Sequence, residues 1–178
     1  SIIGKNSISF LRSTIKTKYN IKKKLITFMS TKSIFNNSRI DYSGELSINP
    51  FDLDLKIDLG NYRISQLFSL NSIFKEFIKS ELLFNDNLSL DVSIAAKSNI
   101  LDEIFQNIII NFSIINGKIN IDNTKLINND IGSLKLSNSN LFLENNKLLL
   151  NTNIFVDIKD SSQLFSFLNT SKNSRKEN

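Results

Sequence analysis

Three aspartates, Asp52, Asp54 and Asp58, stand at alternating positions of "FDLDLKIDL" and are, by type and spacing, the residues of this chain best suited to chemistry. Residues i and i+2 of an extended strand share a face about 6.6 to 7 Å apart, a separation compatible with a carboxylate pair acting as general acid and base. Lys56 lies among them on the same face, however, and Phe51, Leu53, Leu55, Ile57 and Leu59 fill the opposite one. Such alternation is the wet side of a half-buried strand, so the carboxylates read as solvated. The chain has no His, Cys or Trp, which removes imidazole acid–base chemistry, thiol nucleophiles and the commonest zinc ligands. "DNTKLINND" offers several oxygen ligands without the spacing of an EF-hand loop, and no P-loop, dinucleotide fingerprint or nucleophile elbow occurs. The expectation is a protein that is not an enzyme and uses no cofactor or metal.

The elements that carry these residues follow a period of two. "NLSLDVSIAAK" sets Leu88, Leu90, Val92 and Ile94 on one side, and "GKINID" does so with Ile119 and Ile121. The longest apolar run, "IIINFSII", carries Ile108, Ile110 and Phe112. "GSLKLSNSNLFLENNKLLLNTNIFVDI" reads as three short strands, with Leu134 and Leu136, then Leu141 and Leu143, then Leu148, Leu150, Ile154, Val156 and Ile158 inward. Upstream, "SISFLR", "STIKTKY", "LITFMS" and "RIDYSGELSI" are further strands. Asn116-Gly117 is a type I′ hairpin signal, and Asn128-Asn129-Asp130 and Asn145-Asn146 are weaker turn signals. Strands joined by tight turns make an antiparallel meander.

Helical spacing predicts helices near 65–83, 99–107 and 161–169. The pentapeptide Ser-Gln-Leu-Phe-Ser opens the first and the last of them, each time behind an alternating strand and with a Ser in the cap position. That recurrence points to a repeated unit, a sheet layer closed by a helix.

A meander with one apolar face must hide that face from water. Helices are too few to cover it, which leaves a second sheet, a closed barrel, or a sheet curled into an open groove filled by acyl chains. The alternation suits all three. The net charge of +5 is densest in "KTKYNIKKK", with Lys16, Lys18, Lys22, Lys23 and Lys24. This patch reads first as a solvated strand end or turn and second as a contact for an anionic membrane surface. Nucleic acid is disfavoured as a partner, because no aromatic platform interleaves with the lysines. The apolar run at 108–115 falls short of the roughly 20 residues of a membrane helix. A start at Ser1 and the polar end "NTSKNSRKEN" suggest a segment of a longer protein. The expected organisation is an N-terminal β segment over 1–45 continuing from upstream, a β-groove region over 46–170, and a polar tail over 171–178.

The order of an amphipathic helix, a strand beginning "LSLDVSI", then "NGKINIDNTKL", then short strands with Asn-rich turns resembles the C-terminal region of AsmA-like proteins of Gram-negative bacteria. The resemblance covers about the last two-thirds of the chain. It implies a mainly β protein curled into an open groove, anchored in the inner membrane by an N-terminal helix outside this chain and projecting into the periplasm. The implied function is non-enzymatic carriage of phospholipid acyl chains toward the outer membrane, with neighbouring segments of the same protein as possible partners. The implied groove lining is Leu53, Leu55, Ile57, Leu88, Leu90, Val92, Ile94, Ile108, Ile110, Phe112, Ile119, Ile121, Leu134, Leu136, Leu148, Leu150, Ile154 and Val156. The competing expectation is a structural β-repeat or adhesin-like module whose interior is filled by its own side chains.

Overall fold

The computed structural model describes residues 1–63, 82–99, 103–144 and 147–174, the side chains at 82, 143, 147, 148 and 169–174 excepted. Its strands are β1 (Ile2–Phe10), β2 (Ser13–Lys22), β3 (Leu25–Ser30), β4 (Ser33–Phe35), β5 (Ser38–Ile48) and β6 (Phe51–Gly60), then β7 (Ser89–Lys97), β8 (Asn107–Ile115), β9 (Lys118–Asn120), β10 (Lys125–Asn128), β11 (Gly132–Glu144) and β12 (Lys147–Ile158). Among the described residues one helix, α1 (Ser161–Ser174), follows them, and a 3-10 turn covers Leu82–Phe84. All the strands belong to one mainly antiparallel sheet in the order β1-β2-β3-β5-β6-β7-β8-β10-β11-β12, with β4 paired to β2 and β5 and β9 to β8 and β11. Position 45 lies inside β5, and the strands before and after it share this sheet.

The sequence explains where strands stop. Asn36, Asn37, Asn61, Asn116, Asn123 and Asn138 have positive φ, a conformation that Asn adopts at lower cost than branched residues. At Asn116 (φ 50°) and Gly117 (φ 67°) both central residues of the β8–β9 turn are left-handed, as a type I′ hairpin requires. After β10, the Asn128 side-chain oxygen accepts the backbone N–H groups of Asp130 and Ile131 at 3.0 and 2.9 Å, which turns the chain into β11.

The structure corrects the sequence reading at four points. The meander is interrupted once, because β6 and β7 pair in parallel, from Asp52 opposite Ser89 to Gly60 opposite Lys97. A parallel pair needs a long crossover, and residues 61–88 supply it. Second, the segments around Leu134 and Leu141 are one strand, β11, with a register irregularity between Ser137 and Asn140. Third, Glu103–Gln106 is not helical and Asn107 already begins β8. The Gln106 N–H donates to the Ile127 carbonyl at 2.9 Å and its carbonyl accepts from Ser98 at 2.7 Å, so this backbone is committed to neighbouring strands. Fourth, the cap of α1 is Asp160, whose carboxylate accepts the N–H groups of Ser162 and Gln163 at 2.8 and 3.1 Å. The helix at 161–169 is present and extends to Ser174. The helix expected near 65–83, with the first Ser-Gln-Leu-Phe-Ser copy, lies outside the described residues apart from the Leu82–Phe84 turn.

Among the described residues the buried apolar cluster holds Ile40, Leu59, Tyr62, Ala96 and Ile108, joined by partly buried Phe35, Tyr42, Ile57, Ile94 and Phe105. Tyr62 stacks on Phe35 with ring centroids 6.2 Å apart, and burial raises its pKa above the ordinary tyrosine value. Two glycines test how tightly the rest fits. A Cβ on Gly44 would meet the Asp54 carbonyl oxygen and the Phe28 ring, whereas one on Gly60 would meet nothing. Gly44→Ala should therefore destabilise by about 1 to 3 kcal/mol. Gly60→Ala should be neutral or stabilising by up to about 1 kcal/mol. Urea unfolding of both variants checks the contrast.

Candidate functional site: a one-sided apolar face

Directly paired residues of adjacent strands point to the same side of a sheet. The register therefore shows whether the alternation of each strand adds up. Leu53, Leu55, Ile57 and Leu59 of β6 pair with Leu90, Val92, Ile94 and Ala96 of β7. Those residues in turn face Ile114, Phe112, Ile110 and Ile108 of β8. Ile108 pairs with Leu126 of β10, which pairs with Leu134 of β11, and Leu134 and Leu136 pair with Val156 and Ile154 of β12. On the other side of β6, the same face passes through Leu46, Tyr42 and Ile40 of β5, Ile26 and Phe28 of β3, and Ile21 and Tyr19 of β2. One apolar face thus crosses the sheet from β2 to β12.

The face survives a change of phase inside β11. Its inward residues are even-numbered at Leu134 and Leu136 and odd-numbered at Leu141, while β12 stays even throughout, with Leu150, Ile154 and Val156. A bulge between Ser137 and Asn140, with Asn138 at φ 50°, adds the residue that restores the phase. The Ser139 N–H, displaced from the ladder, donates to the Asp122 carboxylate at 2.6 Å. The fully buried Ser139 hydroxyl meets the Thr152 hydroxyl, also at 2.6 Å. Asp122 is itself steadied by the Asn120 amide at 3.1 Å. These hydrogen bonds stabilise the charged carboxylate and hold Asp122 below the ordinary carboxylate range, the Ser139 N–H contributing most.

The residues expected to line a groove separate by burial. Ile108 and Ile119 are sealed, 1% and 0% exposed, and serve as packing. Leu53, Leu55, Ile57, Leu90, Val92, Ile94, Ile110, Phe112, Leu134 and Leu136 share the face and are partly buried. Leu88 and Ile121 lie just outside β7 and β9 and are also partly buried. Leu150, Ile154 and Val156 on β12 are bare, the last two 58% and 64% exposed. Leu148 sits opposite Leu143 in the register, its side chain outside the described set. The sequence reading missed the part of the face contributed by the first 48 residues, chiefly Tyr19, Phe28 and Tyr42. A signal existed in Gly4 and Gly44, which pair with Tyr19 and Phe28 and lie beneath their rings.

On the opposite face Asp52, Asp54 and Asp58 are exposed, as is Lys56. Asp54 stands in a cross-strand row with Glu45 and Asp91, beside an open concavity of 290 Å³ that Asp122, Asn111 and Asn120 also border. Among the described residues no group of His, Cys, Asp or Glu is arranged to hold a metal ion, and no helix is long and apolar enough to cross a membrane.

The bulge gives a pH-dependent expectation. Because the folded pKa of Asp122 is depressed, its stabilising effect is complete above the unfolded value near pH 4 and is lost as pH falls through the folded one. Asp122→Asn should lower Tm at neutral pH, and the gap from the parent chain should close in acid. A gap that holds constant from about pH 7 to about pH 2 would separate the carboxylate's charge from the bulge.

No family model, no curated protein and no solved structure matches this chain.

Proposed function

We propose that this chain is a lipid-carrying segment without enzymatic activity, its apolar sheet face lined by phospholipid acyl chains. The reading takes the chain as part of an AsmA-like protein, held at the inner membrane by an anchor outside this chain and moving lipid through the periplasm to the outer membrane. The observation that carries it is the apolar face kept in phase through a bulge and ending on a bare outer strand. A contiguous exposed apolar surface of this kind marks a ligand groove or an interface. Leu150, Ile154, Val156 and Ile158 are each about half exposed or more. Covering one of them is worth about 1 kcal/mol, roughly half the value of full burial. Four such residues fall short of what a stably held lipid needs, so the acyl chain must also reach Leu134, Leu136 and Leu126. The strands β8, β10, β11 and β12 lie side by side and span about 14 Å across their hydrogen bonds, close to the roughly 15 Å hydrocarbon depth of one leaflet.

Native mass spectrometry with lipid extraction, on protein purified from a Gram-negative host, tests the reading. Bound phospholipid is expected with the parent chain and with Asp54→Asn, and is expected to be lost with the pair Ile154→Asp and Val156→Asp. Both altered residues are exposed, so stability should change by no more than about 1 kcal/mol. A lipid-free parent, or equal lipid in all three proteins, would favour the structural module with a filled interior.

A further inference from the structure

The face of β1–β3 opposite the apolar one has its own chemistry. Lys16, Lys18 and Lys22 alternate along β2 and share that side with Lys5 of β1, which stands directly opposite Lys18. Lys23 and Lys24 continue the charge into the turn before β3, and all six side chains are exposed. Like charges directly opposite each other in a sheet are destabilising. Among the described residues the one ion pair is Arg39 with Asp41, so none of these lysines is neutralised there. Lys23 also occupies a left-handed position (φ 55°), which at most other turns of this chain is given to Asn. Charge is therefore kept where both pairing and backbone conformation oppose it.

Apolar side chains are interleaved with the lysines. Ile3 pairs with Asn20, Met29 with Lys18 and Leu25 with Lys22, so all three project from the basic side. They are 66%, 51% and 40% exposed. An open depression of 250 Å³ lies between Ile3, Lys18, Thr27 and Met29. Exposed lysines around protruding aliphatic side chains match the layered chemistry of an anionic lipid surface, with phosphates outside and hydrocarbon beneath. Single-stranded nucleic acid would instead call for stacking aromatic rings, and the aromatic rings of β2 and β3, Tyr19 and Phe28, lie on the other face.

We propose that this face of β1–β3 docks on an anionic phospholipid surface, the lysines meeting the headgroups while Ile3, Leu25 and Met29 enter the interface. The site is on the side of the sheet away from the proposed lipid cargo and can fail independently of it. Flotation of the full chain with vesicles is the test, comparing phosphatidylcholine alone with phosphatidylcholine doped with phosphatidylglycerol. Recovery is expected only with the anionic vesicles and should fall with added salt. Affinity should drop about fivefold for each of Lys18→Gln and Lys22→Gln, with co-purifying lipid unchanged. Met29→Ser should weaken binding without altering its salt dependence. Lys5→Gln should weaken binding yet leave Tm equal or higher, because it removes a like-charge pair. Three results would each overturn the proposal: equal recovery with both vesicle types or with neither, tighter binding to a DNA oligonucleotide than to anionic vesicles at the same salt, or a dimer that dissociates when the lysines are replaced.

Discussion

Phase is the constraint on which this structure depends. Side chains alternate across a strand, so a slip of one residue moves every apolar group to the wet side. Here that requirement is met jointly by strands from β1 to β12, because each pairing transmits the face of its neighbour. The chain holds phase even where β11 changes parity, between Leu136 and Leu141. The bulge at Asn138 and Ser139 absorbs the extra residue. Its displaced N–H would cost about 1 to 3 kcal/mol if left unsatisfied, and the Asp122 carboxylate satisfies it. A polar contact on the wet side thus keeps the apolar side continuous.

Cover over that face is uneven. Where β5, β6, β7 and β8 lie together, Phe35 and Phe105 pack against buried Ile40, Leu59, Tyr62, Ala96 and Ile108 at one end of the strands. Ile114 and Ile119 are sealed at the other end of β8. Toward the outer strands the cover thins, and Ile2 and Ile8 on β1, like Ile154 and Val156 on β12, are open to water. The outer strands thus leave apolar area uncovered, each exposed Ile forgoing about 1 kcal/mol. That gradient in cover is the feature the proposed lipid-carrying reading draws on.

Much of this was legible because a period of two is a strong signal. The strands "LITFMS" and "FDLDLKIDL" are found where alternation places them, and Asn116-Gly117 makes its turn. What was not legible had specific causes. Leu53 to Leu59 alternate identically whether the next strand runs parallel or antiparallel, so the β6–β7 pairing left no trace in the pattern. The break of parity between Leu136 and Leu141 looks the same for two strands as for one strand with a bulge. The stripe Ile104 and Phe105 suggested a helix, but Gln106 gives its N–H to Ile127, far along the chain, and tertiary pairing overrode local spacing. The basic face was half visible: Lys16, Lys18 and Lys22 are close in sequence, whereas Lys5 joins them only through register.

The two proposed surfaces arise from the same alternation. In β2 the odd residues Tyr19 and Ile21 look toward the apolar face and the even residues Lys18 and Lys22 toward the opposite one. A segment that lies against a bilayer while offering a lipid path needs headgroup contacts and hydrocarbon contacts that do not compete. Placing them on opposite sides of one strand separates them by the thickness of the sheet while coupling them rigidly, since the hydrogen-bonded ladder fixes both at once. The cost appears where the rules of sheet stability are broken. Lys5 opposes Lys18, and Lys23 occupies a turn conformation that Asn would fill more easily. Departures of this sort are expected where a surface answers to a partner as well as to its own fold.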